Sequence, residues 1–421
     1  MLYGSSKIML RNLTDTEKQH LETLATMSRS LYNLCTVKIC DHYENTGKVL
    51  GYHELKQLVI DSKEYTSMTG WFYQTLISAI HDFKIYISTS NYTLSRSDRT
   101  LRMKNLDNFI PPHPKDIIRK IDIGHPHVAD GFLVVPCSRY TPQINLKLPK
   151  CYLNKNIIIA TIRPLYHNRY WELIIEYTVT ETPHCDLSKD RVMGVDLGIT
   201  NFATCSTFFL DENRIDSFII DGKRLKSIVQ GYCKNRAKLQ SLNPCQTNTK
   251  RLCSLSCKTH NKLNDYVAKS ASTIIKYCID NRISKLCFGW SENFQMINGL
   301  NLGINNQSFA LFPFAKLKAA LKYQCDKHGI DFVVVNESYT SQASFIDKDA
   351  IPDFVSRKHH YFSGARIHRG IYMSADGCKI NADVNGACNI IVKHYQSRGE
   401  TAKLDCLDRR GLAYPKRIKI F

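Results

Sequence analysis

The 421-residue sequence has no Cys-x-x-Cys pair, no internal repeat, no low-complexity tract and no apolar run near the roughly 18 residues of a membrane span. These absences exclude the common zinc modules, a solenoid and a spanning helix. The N-terminal stretch lacks a signal-peptide pattern, so the 16 cysteines read as reduced thiols of a cytoplasmic protein and not as a disulfide framework. The nearest approach to a metal cluster is Cys245, Cys253, Cys257 and His260, whose spacing matches no common zinc module and which read as thiols on helical or loop surfaces. Acidic residues are also scarce: 38 Asp and Glu face 57 Lys and Arg, a surplus of +19 that points to a polyanionic partner, nucleic acid foremost. The length exceeds what one hydrophobic core usually serves, and a 43% hydrophobic content supplies enough apolar side chains for two or three.

The first quarter is helical in pattern. A short strand-like stretch, Lys7 to Leu10, precedes Thr14 and Glu17 at capping-box spacing, after which Leu21, Leu24, Ser28, Leu31 and Cys35 recur at helical intervals. Further helical stretches cover Tyr52 to Leu58 and Trp71 to Ile87. Tyr32, Tyr43, Tyr65, Tyr73 and Tyr86 alternate with lysines there; such aromatics can stack on bases, although helical spacing favours the core. Pro111, Pro112 and Pro114 end this part. Strand-like runs follow at 132 to 136, 144 to 148, 156 to 163 and 170 to 179, the last two flanking a turn at His167, Asn168 and Arg169. They predict an antiparallel β unit of barrel or sandwich type that the first strand joins from the far side of the helices.

From Arg191 the pattern changes to strand, strand, strand, helix, strand, helix, strand, helix. The first strand ends in Asp196, a later one (DFVVVN) leads into Glu337, and Asp383 opens the last helix. This order is an RNase H topology with acids at strand ends and at a helix start. One acid before a turn says little, but three at those places have a shared use. Phosphodiester hydrolysis needs an activated water and a stabilised leaving oxygen, which two Mg²⁺ ions about 4 Å apart supply when carboxylates hold them.

The strings GVDLGITNFAT (194 to 204), NNQSFALFPFAKLKAALKY (305 to 323), GIDFVVVNESYTSQASF (329 to 345), FSGARIHRGIY (362 to 372) and INADVNGACNI (380 to 390) resemble the RuvC portion of the TnpB (OrfB) family of transposon-encoded proteins. That family is related to the compact type V CRISPR effector nucleases. The resemblance covers most of 190 to 395 and extends only in outline to the N-terminal half. It implies an α/β RNase H-like (RuvC) nuclease domain over 190–337 and 379–400, interrupted at 338–378 by a nucleic-acid-binding insert, with a basic tail at 401–421. Before it would lie an antiparallel β wedge (1–12 and 111–185) carrying a helical recognition insert (13–110). The implied activity is RNA-guided DNA cleavage with Mg²⁺ or Mn²⁺ on Asp196, Glu337 and Asp383. The implied partners are a noncoding guide RNA and target DNA, with no membrane.

Two departures from the family pattern stand out. The fourth strand, KLCFGW, ends in Gly289 and Trp290 where many members carry the middle acid, so Glu337 on the neighbouring strand takes that part, with Glu292 as its competitor. The two Cys-x-x-Cys pairs of many members are missing; 338 to 382 holds only Cys378, with His359, His360 and His368 as surface histidines, and zinc is not expected. Arg357, Lys358, Arg366 and Arg369 are left for phosphate contacts. Two rivals remain at this stage: a nuclease-dead, RNA-guided DNA-binding repressor, and a DNA transposase, since the same fold serves both chemistries.

Overall fold

The computed structural model describes residues 2–67, 73–96, 120–135, 142–165, 170–179, 185–242, 249–291, 311–352, 360–368, 370–405, 407–409 and 412–421. The chain forms two compact units, 1–180 and 181–421.

In the first unit, β1 (Leu2–Leu10) leads to the long α1 (Asp15–Thr46). The Thr14 hydroxyl accepts the Glu17 N–H at 3.2 Å and the Glu17 carboxylate accepts the Thr14 N–H at 2.7 Å, so two otherwise unpaired donors are satisfied at the helix start. One face of α1 serves two cores. Its first turns place Leu21, Leu24 and Ala25 against strands, while Leu31, Cys35 and Ile39 pack with α2 (Tyr52–Val59), α3 (Lys63–Thr66) and α4 (Tyr73–Arg96). Tyr32 is buried with its hydroxyl donating to Asp82 at 3.0 Å, an internal role and not a base-stacking one.

The strands β2 (Ile121–Gly124), β3 (Val128–Ala129), β4 (Phe132–Val135), β5 (Ile144–Lys147), β6 (Ile157–Leu165) and β7 (Tyr170–Val179) follow. They form two sheets, β1-β7-β6-β2 and β3-β4-β5, that share one core. β1 runs antiparallel to β7 from Leu2 opposite Val179 to Leu10 opposite Trp171, so chain from both sides of the helices builds one sheet. β3 lacked a sequence signal because two residues are too few for alternation to show, and β2, of four residues, was passed over. The proline cluster and the turn at 167 to 169 fall outside the described residues.

The second unit is built on a six-stranded mixed sheet. β8 (Ser188–Leu197), β9 (Asn201–Phe209) and β10 (Arg214–Asp221) form an antiparallel meander, followed by α5 (Lys223–Ser241), α6 (Lys250–Asp280), β11 (Ile283–Gly289), α7 (Phe314–His328) and β12 (Asp331–Val335). A small antiparallel sheet, β13 (Ala365–His368), β14 (Ile371–Met373) and β15 (Lys379–Asn381), precedes α8 (Ala382–Gln396), and β16 (Lys416–Ile418) closes the order β12-β11-β8-β9-β10-β16. Helices cover both faces: Met193 and Val195 of β8 share a core with α5, α6 and α7, while Val192 shares one with α8. Burial on both sides explains the near-continuous apolar run of VMGVDL.

α6 begins at Lys250, where Leu252, Cys253, Cys257 and Leu263 form its buried stripe through a polar-looking segment. Cys253 and Cys257 are therefore core side chains of one helix. Cys245 lies outside the described residues. The aromatic centre of this unit is Phe314, fully buried and stacked on Phe202 at 5.8 Å and Phe312 at 5.4 Å. Phe314→Ala should cost about 3–5 kcal/mol and lower the urea midpoint at unchanged slope, measured on the full chain.

Candidate functional site

Asp196 is the penultimate residue of β8, paired across the sheet with Thr204 of β9. Helix α8 lies directly over it. A Cβ added to Gly386 would sit 3.1 Å from Asp196 Oδ2 and 3.3 Å from its Cγ, so the bare glycine gives the carboxylate its space. The same helix carries Asp383 in its first turn, where Asn381 caps it by accepting the N–H groups of Asp383 at 3.0 Å and Val384 at 3.2 Å. A carboxylate there is favoured by the helix dipole. Asp383 accepts hydrogen bonds from Arg366 Nη2 at 2.9 Å on one oxygen and from Asn201 Nδ2 at 2.5 Å on the other.

Glu337 stands two residues past β12 at the start of a turn in which Thr340 donates to the Glu337 carbonyl through its N–H at 3.2 Å and its hydroxyl at 2.8 Å. α8 fixes this turn as well. Asn389 Nδ2 donates to the carbonyls of Thr340 at 2.8 Å and Ala343 at 2.7 Å; Asn385 Nδ2 donates to Ala343 O at 2.8 Å while its Oδ1 accepts Phe345 N–H at 3.0 Å. Both asparagines are buried, so these bonds are shielded from water.

β11 separates β8 from β12, which puts the two acid-bearing strands about 10 Å apart. The end of β11 is Gly289, where a Cβ would lie 2.4 Å from Ile390 Cδ1 of α8. A side chain at this strand end would first have to displace the tip of Ile390. Glu337 lines the same cleft from beyond that bare position.

Asp196, Glu337, Asp383, Asn201, Arg366 and Arg417 line an open cleft of about 660 Å³. Burial, followed by the Asp383 and Glu337 carboxylates, holds Asp196 well above the usual carboxylate range, against a hydrogen bond from the Leu197 N–H and the charge of Arg366. Burial pushes Glu337 up to about 7. Asn201 Oδ1 is buried without a hydrogen-bond partner. Three carboxylates that repel one another beside an unused amide oxygen form a hard-oxygen donor set suited to a divalent cation. With Asp383 occupied by Arg366 and Asn201, no three Asp, Glu, His or Cys side chains among the described residues form a preset metal cluster.

Of the residues expected to contact nucleic acid, Arg366 lies in this cleft, whereas Arg357, Lys358 and Arg369, like the rival acid Glu292, fall outside the described residues. His360 packs edge-on against Tyr339 at 4.9 Å, and His368 is exposed on β13. Around them two carboxylates tie loops together. Asp349 accepts from Ser344 N–H at 2.7 Å and Ser363 Oγ at 2.6 Å, and Asp347 accepts from Ser344 Oγ at 2.6 Å and Ala375 N–H at 3.0 Å. Arg409, expected in a basic tail, is turned inward: it donates to Phe345 O at 2.5 Å and Leu404 O at 3.2 Å and lies over the Phe345 ring. The sequence reading passed over Asn201, Asn385 and Asn389. The last two are four residues apart in the apolar stretch Val384 to Val392, a signal of paired buried amides.

A helix-covered mixed α/β sheet with an acid-lined cleft at its strand ends defines the class. Within it, residues 175–292 match the OrfB_IS605 family, described as a probable transposase, and residues 314–390 match the TNB domain of Cas12f1-like proteins. The chain is therefore TnpB-like (OrfB-like), with a resemblance to the compact type V effectors. No curated protein matches the sequence. The fold is similar to a chain of the cryo-EM structure of a Cas12f1-sgRNA-target DNA complex, at a TM-score of 0.56 and 11% identity over 89% of this chain and 82% of that one. A CRISPR-Cas12f ternary complex gives a TM-score of 0.34 at 12% identity over 88% and 80% of the two chains. C2c1 of Alicyclobacillus acidoterrestris with single-guide RNA gives 0.36 at 10% identity over 90% and 68%.

Asn389→Ala removes the donor for two buried carbonyls and should cost about 1–3 kcal/mol. Amide exchange across residues 338–346 should accelerate in the variant while the β8 to β10 meander stays protected; equal protection of both segments in variant and parent would contradict this role for α8.

Proposed function

We propose that the protein is an RNA-guided DNA endonuclease of RuvC type, whose second unit is the RNase H-like nuclease and whose first unit is a β wedge with a helical recognition insert. The observation that carries this reading is that Asp196, Glu337 and Asp383, from three separate elements, line one cleft together with Arg366. The sheet order, with a three-strand antiparallel meander and parallel strands beyond its first member, supports an RNase H-like reading. The guide RNA and target DNA are carried over from the Cas12f1 complex of similar fold, and the surplus of +19 agrees with two polyanionic partners.

Mg²⁺ or Mn²⁺ would be held by Asp196, Glu337 and Asp383, and when bound would supply an activated water and a stabilised leaving oxygen. The chain's own residues prepare that event. Asp196 is fixed between β8 and α8, Asn201 orients Asp383, and the Asn385 and Asn389 amides hold the turn from which Glu337 projects. Arg366, on the exposed β13, supplies a guanidinium fork that fits either the Asp383 carboxylate or a backbone phosphate, so an arriving strand competes for it and frees Asp383.

One observation favours a nuclease-dead, RNA-guided binder: Asp383 is neutralised by Arg366 and the acids are not preset as a cluster. The transposase reading has the OrfB_IS605 description on its side. Product analysis separates the three, because hydrolysis leaves free ends, strand transfer joins ends to a second DNA, and a dead binder leaves target intact in Mg²⁺ and in Mn²⁺.

Asp196→Ala and Asp383→Ala should each reduce cutting by at least about a hundredfold with guided binding retained. Near-parental cutting by either variant would remove that acid from the site. Glu337→Gln should also lose cutting, since an amide binds Mg²⁺ poorly, while Glu292→Gln should cut almost normally; the reverse result assigns the middle acid to Glu292. Mg²⁺ should raise the melting temperature of the parent and not of Asp196→Ala. RNA affinity should fall by roughly 10³–10⁵ between 50 and 200 mM salt if six to ten phosphates are neutralised, and a salt-independent affinity would refute the electrostatic account.

A further inference from the structure

The second arginine of the cleft comes from the far edge of the sheet. β16 runs parallel to β10 with Arg417 opposite Ile219, three strands from β8 and so about 14 Å from the Asp196 strand. Arg417 Nη1 lies 3.2 Å from Asp221 Oδ2, and Asp221 is itself a buried, fully engaged carboxylate: its side chain is 9% exposed, its Oδ1 accepts the Lys223 N–H at 2.7 Å, and its carbonyl accepts the Tyr266 hydroxyl. The strand that carries Arg417 is tied down by Arg224, which donates to Ile420 O at 3.2 Å, and by the burial of Ile420 in the core. Arg417 is nevertheless 37% exposed and lines the cleft. Among the described residues Asp221 is its hydrogen-bond partner, through one of the five N–H donors a guanidinium has. A buried acid thus aims a mostly unused cation into a cleft of acids.

The line of groups is continuous. Arg366 meets Asp383, Asp383 meets Asn201, Asn201 is the cross-strand neighbour of Asp221, and Asp221 holds Arg417. One guanidinium therefore lies at the acids and the other a few phosphate spacings along the cleft, given one phosphate per roughly 3.4 Å of a helical strand. On the endonuclease reading above, we propose that Arg417 is a positioning residue: it grips a DNA backbone phosphate a few nucleotides from the bond that is cut, with Asp221 setting its direction. It touches neither the reacting atoms nor the three acids, so its part is to hold the strand in register, and a lysine can fulfil part of it.

The test uses the full chain with its guide RNA. Phosphate-ethylation interference, mapped on target DNA bound in EDTA, should show one or two positions in the cleft-bound strand whose neutralisation weakens binding to the parent but not to Arg417→Ala. Arg417→Lys should restore at least part of that interference, and Asp221→Asn should blur it. In Mg²⁺, Arg417→Ala should raise KM for the target about tenfold, the worth of one charge-assisted contact, while the single-turnover rate at saturation stays within about twofold of the parent. An interference pattern identical in parent and Arg417→Ala overturns the proposal, as does a loss confined to the saturated rate. A fold defect would lower the melting temperature of Arg417→Ala and Arg417→Lys alike; if Arg417→Lys instead melts like the parent yet shows no interference at those positions, the proposal also fails. A parent complex that never cuts defeats the endonuclease reading and leaves the interference comparison fully readable.

Discussion

The second unit depends on how closely helix α8 is seated on its sheet. Three glycines permit that seat. A Cβ at Gly194 would lie 2.3 Å from the Ala387 carbonyl oxygen of the helix, the bare Gly386 makes room for the Asp196 carboxylate, and the bare Gly289 makes room for Ile390. Close packing of a helix on a sheet is a stability device in most α/β proteins. Here it also distributes the acids. The helix reaches the strand end that bears Asp196, occupies the end that would bear a middle acid, carries Asp383 in its own first turn, and holds the turn behind Glu337 by two buried amides.

Electrostatics then oppose packing. Burial lifts both Asp196 and Glu337 above their ordinary ranges, and at Asp196 the neighbouring Asp383 and Glu337 carboxylates add to it. The chain offsets this with two guanidiniums, Arg366 on Asp383 and Arg417 on Asp221, both at the rim and both of a type that binds phosphate as readily as carboxylate. A site balanced in this way is stable when empty and yet keeps its cations exchangeable. The same exposure that limits the stabilising worth of a rim ion pair makes it easy for a phosphate to replace the carboxylate.

Much of this was legible in the sequence, for definable reasons. The capping box at Thr14, the alternation in 144 to 147 and 170 to 179, and the doubly buried run ending at Asp196 are local signals, and local signals survive without an alignment. The strings around Asp196, Glu337 and Asp383 carried the family resemblance that the matches over 175–292 and 314–390 repeat. What was hidden depends on contacts distant in sequence. β3 has too few residues to show a period, the stripe of Leu252, Cys253 and Cys257 is masked by Ser254 and Ser256 between its members, and nothing near Arg409 tells that it turns inward onto Phe345 while Arg417 faces the cleft. Basic residues in a tail look alike until their neighbours are known.

The loops between β12 and α8 are fastened by carboxylates and amides. In these loops Asp347 accepts hydrogen bonds from Ser344 and Ala375, and Asp349 accepts them from Ser344 and Ser363. A carboxylate that collects N–H and O–H donors crosslinks a loop in the manner of a metal ion, though each bond is weaker and water competes for it. The fastening is therefore distributed: Asn385 and Asn389 grip the first half of the segment from below, Asp349 joins Ser344 to Ser363, and Arg409 closes on Phe345 from the side. Since β13, with Arg366, is reached through this segment, the position of the guanidinium on Asp383 rests on a set of ordinary hydrogen bonds.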